Sequence, residues 1–235
     1  MGKRLLASLL LIFIAASLHA QTAPLTREQA FNKSHQVGAR IGVWGNLGDR
    51  PPVRDSSASY QFETDVKGGS FYAEGYAAFR IWRPLMFEIS LGIVNRGDVT
   101  IDDLDFGYSY IGNLILYPMQ ARLKLYPLAR SNSSIQPYLM AGGGIIHGRN
   151  NIQFSNDYYA EFNEQSATTV NFTLGGGLDF PISHQIGLDL NANYLPIHFS
   201  KELFAIKNYS ALTVTVGVKY LYTSKKKDSG APRRN

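Results

Sequence analysis

Apolar and polar residues alternate most regularly near the C-terminus, over Ser210–Tyr222. The apolar set comprises Leu212, Val214, Val216, Val218, Tyr220 and Tyr222. The residues between them are mostly small or polar, and an alternation with a period of two predicts a β-strand with one apolar and one polar face. The apolar face ends in two tyrosines, which is typical of a strand that meets a membrane–water interface.

Seven further segments have a comparable alternation and predict seven further strands. With the closing segment, the predicted strands are His35–Trp44, Gly69–Trp82, Leu85–Asn95, Tyr108–Tyr126, Ile135–His147, Ser166–Phe180, Gln185–Tyr194 and Ser210–Tyr222. Long connections follow the first, third, fifth and seventh strands, and short ones follow the second, fourth and sixth. Outer-membrane barrels have an even number of strands, long external loops and short periplasmic turns. The pattern therefore predicts an all-β fold, an eight-stranded antiparallel transmembrane β-barrel with long external loops and short periplasmic turns. Both termini are then expected in the periplasm.

The two ends of the chain differ from the predicted barrel. Lys3 and Arg4 precede an apolar run over residues 5–18, which is too short for a membrane-spanning helix and is typical of a secretory signal peptide. Residues 21–34 are polar and irregular, and residues 224–235 form a basic tail. The predicted division is a signal peptide at 1–20, a periplasmic leader at 21–34, an outer-membrane barrel at 35–223 and a flexible periplasmic tail at 224–235.

The composition narrows the class of function. The mean hydropathy of −0.13 suits a barrel, because inward polar residues offset the lipid-facing apolar ones. Most of the net charge of +5 lies in the basic tail, so the predicted barrel is nearly neutral and lacks the basic face expected of a nucleic-acid-binding protein. The chain has no cysteine, which excludes disulfides and Cys-ligated zinc. We expect no cofactor.

Two glycine-rich motifs add a family resemblance to this pattern. They read PYLMAGGGI at Pro137–Ile145 and FTLGGGLDFPIS at Phe172–Ser183. Together with the signal peptide and the closing strand, they make residues 37–222 resemble the small eight-stranded bacterial outer-membrane barrels of the OmpA/OmpX/OmpW-like superfamily. The resemblance implies a multi-pass barrel in the outer membrane of a Gram-negative cell envelope, surrounded by lipid and lipopolysaccharide, and we expect a monomer. The basic tail after Tyr222 departs from members that end on a terminal aromatic residue.

Charged residues on the inward positions of the predicted strands suggest how the lumen is filled. They are Arg40, Glu74, Arg80, Glu88, Arg122, Lys124, Asp179 and Asp189. A charge facing lipid costs about 2–4 kcal/mol at the bilayer midplane, whereas opposite charges can pair inside the barrel. Because the interior of an eight-stranded barrel is just wide enough for side chains to fill, we expect a charge network that plugs the lumen. The alternative is a narrow porin-like channel for ions or for small or apolar solutes.

Two further motifs are candidates for chemistry. His198 and Ser200 resemble the His-x-Ser pair of barrel-shaped lipid A deacylases, in which histidine activates serine for attack on an ester. That family has an asparagine after the serine and a glutamate in the last strand, but Lys201 follows Ser200 here and the last strand has no acid. We therefore expect no catalytic site. We also expect no metal site in the acidic loop, which lacks EF-hand spacing, although weak binding of Ca²⁺ or Mg²⁺ is the alternative. Its acids are Asp98, Asp102, Asp103 and Asp105.

The long loops are the remaining candidates for function. Tyr158, Tyr159 and Phe162 make the loop after the fifth strand aromatic, and exposed aromatic residues suit contact with a partner, although they can also pack within the loop. We therefore expect a structural or surface-interaction role, with a possible surface ligand bound through the loops after the first and fifth strands. A soluble lipocalin-like binder, suggested by Gly42–Trp44, would instead bury the apolar face around a ligand.

Overall fold

A computed structural model describes residues 31, 34–49, 60–66, 69–103, 108–129, 135–155, 160–203 and 206–222. The strands are β1 (His35–Asn46), β2 (Tyr60–Val66), β3 (Gly69–Trp82), β4 (Leu85–Asp103), β5 (Tyr108–Leu125), β6 (Gln136–Ser155), β7 (Ala160–Pro181), β8 (Ile186–Leu195), β9 (His198–Leu203), β10 (Ile206–Asn208) and β11 (Ala211–Tyr222). In this described part of the chain, no helix is long and apolar enough to cross a membrane.

Eight of these strands form a closed antiparallel wall. Their order around the barrel is β1, β3, β4, β5, β6, β7, β8 and β11, and pairing between β4 and β5 and between β1 and β11 completes the ring. At one end of the barrel His35 pairs with Tyr222, so we call this the terminus end and the opposite one the loop end. The predicted eight-stranded antiparallel barrel, with short turns at the terminus end, is confirmed.

The wall forms because its strands alternate in burial. In β11, residues from Ala211 to Tyr220 alternate between buried and exposed positions, and β8 shows the same alternation. Outward apolar side chains such as Phe71 and Val170 are 68% and 78% exposed, whereas the inward Thr173 is fully buried. Apolar residues therefore cover the outside, and the inside contains charged and polar residues as well as aromatic and aliphatic ones. A lipocalin would have the opposite arrangement, so that alternative is wrong.

Glycine in the two predicted motifs allows the wall strands to approach closely around large interior side chains. Tyr138 of β6 pairs with Gly177 of β7. A Cβ at Gly177 would lie 2.6 Å from the Tyr138 hydroxyl and 2.1 Å from the Leu190 carbonyl oxygen. Glycine at this position therefore provides the space that the inward Tyr138 ring occupies.

The structure corrects the predicted long loops. Residues 96–103 and 148–155 continue β4 and β6 as strands, and β7 begins at Ala160 rather than Ser166. β2 lies in the connection predicted to be irregular, where it pairs with β4 from Tyr60↔Asp103 to Val66↔Gly97. The predicted loop 195–208 contains the β9–β10 hairpin. These segments were missed because their alternation is short, as at Val99 and Ile101 or Ile152 and Phe154, and lies among Gly, Pro, Asp, Asn and Ser residues that favour loops.

Candidate functional site

The most densely charged part of the barrel is its middle, where Arg40 lies at the centre of a buried ion-pair network. Its guanidinium contacts Glu74 at 2.6 Å, Glu88 at 2.8 Å and Asp189 at 2.8 Å. β1 pairs with β3 at Arg40↔Glu74, so the first of these contacts joins neighbouring strands. The guanidinium also lies 3.7 Å from the centroid of the Tyr76 ring. Three acids and one aromatic ring therefore surround this single cation.

Arg122 and Lys124 on β5 supply the next two positive charges. Arg122 contacts Glu74 at 3.0 Å and Glu88 at 2.6 Å, and it donates a hydrogen bond to the Ser90 hydroxyl at 2.7 Å. Lys124 contacts Glu88 at 2.7 Å and Asp189 at 3.6 Å. Because these acids also contact Arg40, the charges form a connected network rather than isolated pairs.

The fourth cation of the network is Lys219, which the sequence prediction omitted. It pairs with Asp179, whose carboxylate also accepts a hydrogen bond from the Tyr126 hydroxyl at 2.8 Å. Lys219 occupies the polar face of the closing segment, in phase with Thr213 and Thr215, and β11 pairs with β8 at Gly217↔Asp189. The alternation of that segment already placed Lys219 inside, so the signal was present in the sequence.

Arg80 lies apart from this network, although its strand position was predicted to be interior. It is at the terminus end, where it donates hydrogen bonds to the Arg83 carbonyl oxygen at 2.8 Å and to the Phe31 carbonyl oxygen at 3.0 Å. Its guanidinium also lies 5.1 Å from the centroid of the Tyr126 ring. Arg80 therefore joins the segment before β1 to the barrel rim.

The network proper contains equal numbers of acids and bases, all buried. Its eight members are Arg40, Glu74, Glu88, Arg122, Lys124, Asp179, Asp189 and Lys219. Buried charges are tolerated when they are paired and hydrogen-bonded, because removing an ion from water otherwise costs several kcal/mol. The equality of acids and bases is what allows so many charges to lie inside this barrel.

Apolar layers lie on both sides of the network. The loop-end cluster comprises Trp44, Tyr72, Val94, Leu114, Leu116, Ile146, Leu195, Ile197, Phe199, Leu203, Ile206, Tyr209 and Ala211. The terminus-end cluster comprises Phe31, Tyr76, Ala78, Met86, Tyr126, Ala129, Tyr138, Met140 and Leu221. Buried side chains therefore lie in three layers of the described interior, with the ion-pair network in the middle layer.

The β9–β10 hairpin supplies the part of the loop-end cluster that does not belong to the wall. Phe199, Leu203 and Ile206 are buried, and the Phe199 and Tyr209 rings pack edge-to-face with centroids 5.6 Å apart. The Tyr209 hydroxyl donates a hydrogen bond to the Leu203 carbonyl oxygen at 2.5 Å. Burial raises the pKa of the Tyr209 phenol, which keeps it neutral and able to donate. The hairpin is thus anchored over the loop end by buried aromatic and aliphatic side chains.

His198 and Ser200 lie on the exposed face of β9, on either side of the buried Phe199. The His198 carbonyl oxygen accepts a hydrogen bond from the Thr169 hydroxyl at 2.5 Å. Within the described part of the chain, no hydrogen bond joins the His198 and Ser200 side chains. The structure therefore brings the two residues near one another along the strand but does not form a nucleophile–base pair from them.

A groove with a volume of about 470 Å³ lies beside this hairpin, on the outside of the wall. β7 pairs with β8 from Leu174↔Tyr194 to Pro181↔Gly187. The groove lies beyond Leu174 towards the loop end, where β7 no longer pairs with β8. Its lining comprises Val170, Asn171, Phe172, Pro196, Ile197, His198 and Ser210. Most of this lining is apolar in character.

Several predicted loop candidates lie outside the described residues. They are Tyr158, Tyr159 and Asp105, together with the side chains of Phe162, Asp98, Asp102 and Asp103. The backbone of Phe162 pairs with Gln153 in the β6–β7 hairpin. In the part of the chain that is described, no group of three or more histidine, aspartate or glutamate side chains is arranged to hold a metal ion.

Comparison with known proteins gives the family. Among solved structures, OprG of Pseudomonas aeruginosa is 11% identical over 82% of this chain and 97% of that one, with a TM-score of 0.52. A major outer membrane protein of Thermus thermophilus is 12% identical over 80% of this chain and 98% of that one, with a TM-score of 0.50. Neisserial surface protein A is 14% identical over 81% of this chain and 97% of that one, with a TM-score of 0.46.

At these identities the two structures with TM-scores of 0.52 and 0.50 show a shared fold. No curated protein sequence shows significant similarity to the chain. The family model for the outer membrane protein beta-barrel domain matches residues 7–221, which is most of the chain. The chain therefore belongs to the outer membrane protein β-barrel domain family, and its place is the outer membrane.

Proposed function

We propose that this protein is an outer-membrane barrel with a plugged lumen, which acts as a structural element of the envelope and as a surface for contacts at its loop end. The observation that carries the proposal is the buried, charge-balanced network around Arg40 and Glu88, with an apolar layer on each side. A conducting pore needs a continuous hydrated path lined by groups that ions can bind and leave.

The layers oppose such a path at two levels. In the middle, the carboxylates of Glu74, Glu88 and Asp189 are already paired with protein cations at 2.6–2.8 Å, so a permeating ion would have to displace a partner. Above and below, rings such as Trp44 and Tyr76 are buried in apolar clusters that offer a permeating cation no counter-charge. The small interior of an eight-stranded barrel favours this filling by side chains.

The proposed orientation places the loop end outside the cell and both termini in the periplasm. It is supported by the distribution of chain between the two ends, since β2, the β9–β10 hairpin and the extensions of β4–β7 lie at the loop end, whereas short turns join β3 to β4 and β7 to β8 at the terminus end. The outward apolar residues, Ile89 and Val216 among them, suit contact with lipid, and the loop end would meet lipopolysaccharide. A monomer is sufficient, because the wall is closed and has no free edge.

Surface contact is assigned to the loop end because two paired extensions lie there. β6 and β7 stay paired as far as Ser155↔Ala160, and β2, in the connection after β1, pairs with β4 from Tyr60↔Asp103 to Val66↔Gly97. These ladders carry their connecting segments away from the short strand β8, so the loops after the predicted first and fifth strands are the proposed contact surfaces for a surface ligand.

The test is single-channel recording on the refolded mature chain in a planar bilayer, together with Arg122→Ala and the exposed control Arg83→Ala. We expect no stable conductance steps from the wild type or the control. Arg122→Ala removes ion pairs with two acids and opens the network, so it should show steps if the network is what blocks the lumen. Stable steps in the folded wild type would refute the plugged lumen, and correct folding is checked by circular dichroism and by heat-modifiable gel migration.

A second candidate function is passage or binding of small apolar solutes, and the groove between β7 and β9 favours it. The groove opens beside Val170 and Phe172, which lie on the lipid-facing surface. Its discriminating test is uptake of an apolar fluorescent probe into proteoliposomes by the wild type, by Val170→Trp and by the control Ile89→Trp. Uptake that falls only in Val170→Trp would support this function, and equal uptake by all three proteins and by empty liposomes would exclude it.

A further inference from the structure

Arg96 is a fully buried cation outside the central network. It lies in β4, beyond Val94 towards the loop end, and has no solvent exposure. None of its three side-chain nitrogens has a hydrogen-bond partner among the described residues. Each cation of the network contacts a carboxylate. The Arg96 guanidinium differs, because it has no hydrogen-bond partner among the described residues.

A β-bulge lies at Arg96, whose side chain continues the inward alternation of Glu88, Ser90 and Val94. β4 pairs with β5 at Asn95↔Ile115 and then at Gly97↔Leu114, so Arg96 is the extra residue and faces no partner on β5. Gly97 has a φ of 129°, and its N–H donates a hydrogen bond to the Asn95 side-chain oxygen at 3.0 Å. A bulge sets two successive residues against one on the partner strand, and here the positive φ is available because the second residue is glycine.

The strand register places other unsatisfied polar groups at the same height. Trp44 pairs with Ser70, and Ser70 and Arg96 are the next same-face positions after the pair Tyr72↔Val94. The Trp44 indole nitrogen and the Ser70 hydroxyl are buried and have no hydrogen-bond partner among the described residues.

Asn150 continues this set on the other side of Arg96. It pairs with Leu114, the residue opposite the bulge, and is 1% exposed. Neither its amide nitrogen nor its amide oxygen has a hydrogen-bond partner among the described residues. Buried polar groups in proteins are nearly always satisfied, and an exception on each of the wall strands β1, β3, β4 and β6 at one height indicates a site for a ligand or ion.

The charges and donors decide what kind of ligand would fit. The central network is balanced, so Arg96 adds an unpaired positive charge to the described interior, and the indole and guanidinium N–H groups can only donate. A metal ion or an amine would be repelled. An oxyanion would accept hydrogen bonds from all of these groups and neutralise Arg96, and planar guanidinium groups are well suited to bind it.

We propose that the loop-end half of the lumen contains an anion site in which Arg96 binds a phosphate, sulfate or carboxylate group, assisted by Trp44, Ser70 and Asn150. The site goes beyond the function proposed above and does not depend on whether the lumen conducts. Access is from the loop end, past the β9–β10 hairpin whose Leu203 and Tyr209 share the loop-end cluster with Trp44.

Trp44 provides a direct readout, because the chain has two tryptophans and the other, Trp82, is exposed on the outer surface. Trp82→Phe leaves Trp44 as the single tryptophan of the refolded full chain in detergent. Inorganic phosphate, sodium sulfate and sodium acetate are titrated separately at constant ionic strength maintained with sodium chloride. Comparison of the three titrations distinguishes binding of tetrahedral oxyanions from binding of carboxylates.

We expect a saturable change in Trp44 fluorescence with at least one oxyanion. Arg96→Gln should weaken this binding by about tenfold or more, since it removes charge-assisted hydrogen bonds. The control Arg83→Gln, an exposed arginine at the terminus end, should leave it unchanged. No saturable change in the Trp82→Phe protein, or the same affinity in Arg96→Gln, would overturn the proposal.

A second measurement covers the case in which Arg96→Gln does not fold. The same oxyanion should raise the thermal unfolding temperature of the wild type above that in sodium chloride of equal ionic strength, because a ligand that binds only the folded state stabilises it. An unfolding temperature that does not respond to any of the three anions would also overturn the proposal.

Discussion

Replacing Arg40 with methionine tests whether the central network holds the barrel together. Methionine has a similar length but no charge, so the substitution removes the cation without opening a large cavity. It eliminates the ion pairs with Glu74, Glu88 and Asp189, at 2.6, 2.8 and 2.8 Å. Arg122 and Lys124 remain beside the same acids, but four buried carboxylates would then face three cations.

The magnitude follows from that imbalance. Removing one partner of a buried ion pair typically lowers the free energy of unfolding by about 3–5 kcal/mol, because the other charge stays buried and uncompensated. Adding Glu88→Gln restores the balance, so the double variant should be less destabilised than the sum of the two single changes. We expect a coupling free energy of about 0.5–3 kcal/mol between the two positions, as for contacting residues in general.

The assay is urea unfolding in phospholipid vesicles, followed by the fluorescence of the two tryptophans. Arg83→Met, which changes an exposed arginine at the turn between β3 and β4, is the matched control and should leave the free energy of unfolding nearly unchanged. A loss below about 1 kcal/mol in Arg40→Met would refute the reasoning, since buried pairs broken on one side cost about 3–5 kcal/mol. Additive effects of Arg40→Met and Glu88→Gln would refute the coupling.

Three further changes probe other parts of the structure by the same unfolding assay. Lys219→Met leaves the buried Asp179 without its cation and should lower the free energy of unfolding by about 3–5 kcal/mol, with partial recovery on adding Asp179→Asn; no recovery would argue against the pair. Gly42→Val places a Cβ 2.0 Å from the Val214 carbonyl oxygen and should cost about 1–3 kcal/mol or more, whereas a neutral result would contradict the close strand approach. Tyr209→Phe removes the hydrogen bond across the β9–β10 hairpin and should cost about 0.5–1.5 kcal/mol, and an unchanged midpoint would show that this bond contributes nothing.

The wall strands could be predicted from the sequence because lipid on one side and a polar lumen on the other enforce alternation. Gly69–Trp82 was predicted with the bounds that β3 has, and the closing segment differs from β11 by one residue. Beyond the part of the wall that lies between lipid and lumen, the strand prediction fails. The segments 96–103 and 148–155 are strands held by their hairpin partners, and each has only two alternating apolar residues, among Gly, Asp and Asn residues that favour a loop.

The candidate site was only partly predictable for a different reason. The residues that face inward could be predicted from each strand alone. The pairing of Arg40 with Asp189, 149 residues away, depends on how the barrel closes. Arg96 was missed because the predicted strand ended at Asn95 and put it in a loop, although it is in phase with the inward Glu88 and Val94. The local sign of the bulge is Gly97, which takes the positive φ that the bulge requires.

Because the wall strands differ in length, the rim of the barrel is higher on one side than on the other. β7 has 22 residues and its neighbour β8 has 10, while β1 and β11 have 12 each. With a rise of about 3.3 Å per residue and a tilt of about 40°, twelve extra residues raise the rim by about 30 Å on one side. At the loop end, the barrel rim is therefore high over β4–β7 and low over β8, β11 and β1. The rotation of the barrel about its axis therefore decides whether a neighbouring envelope molecule meets the high side or the low side of the rim.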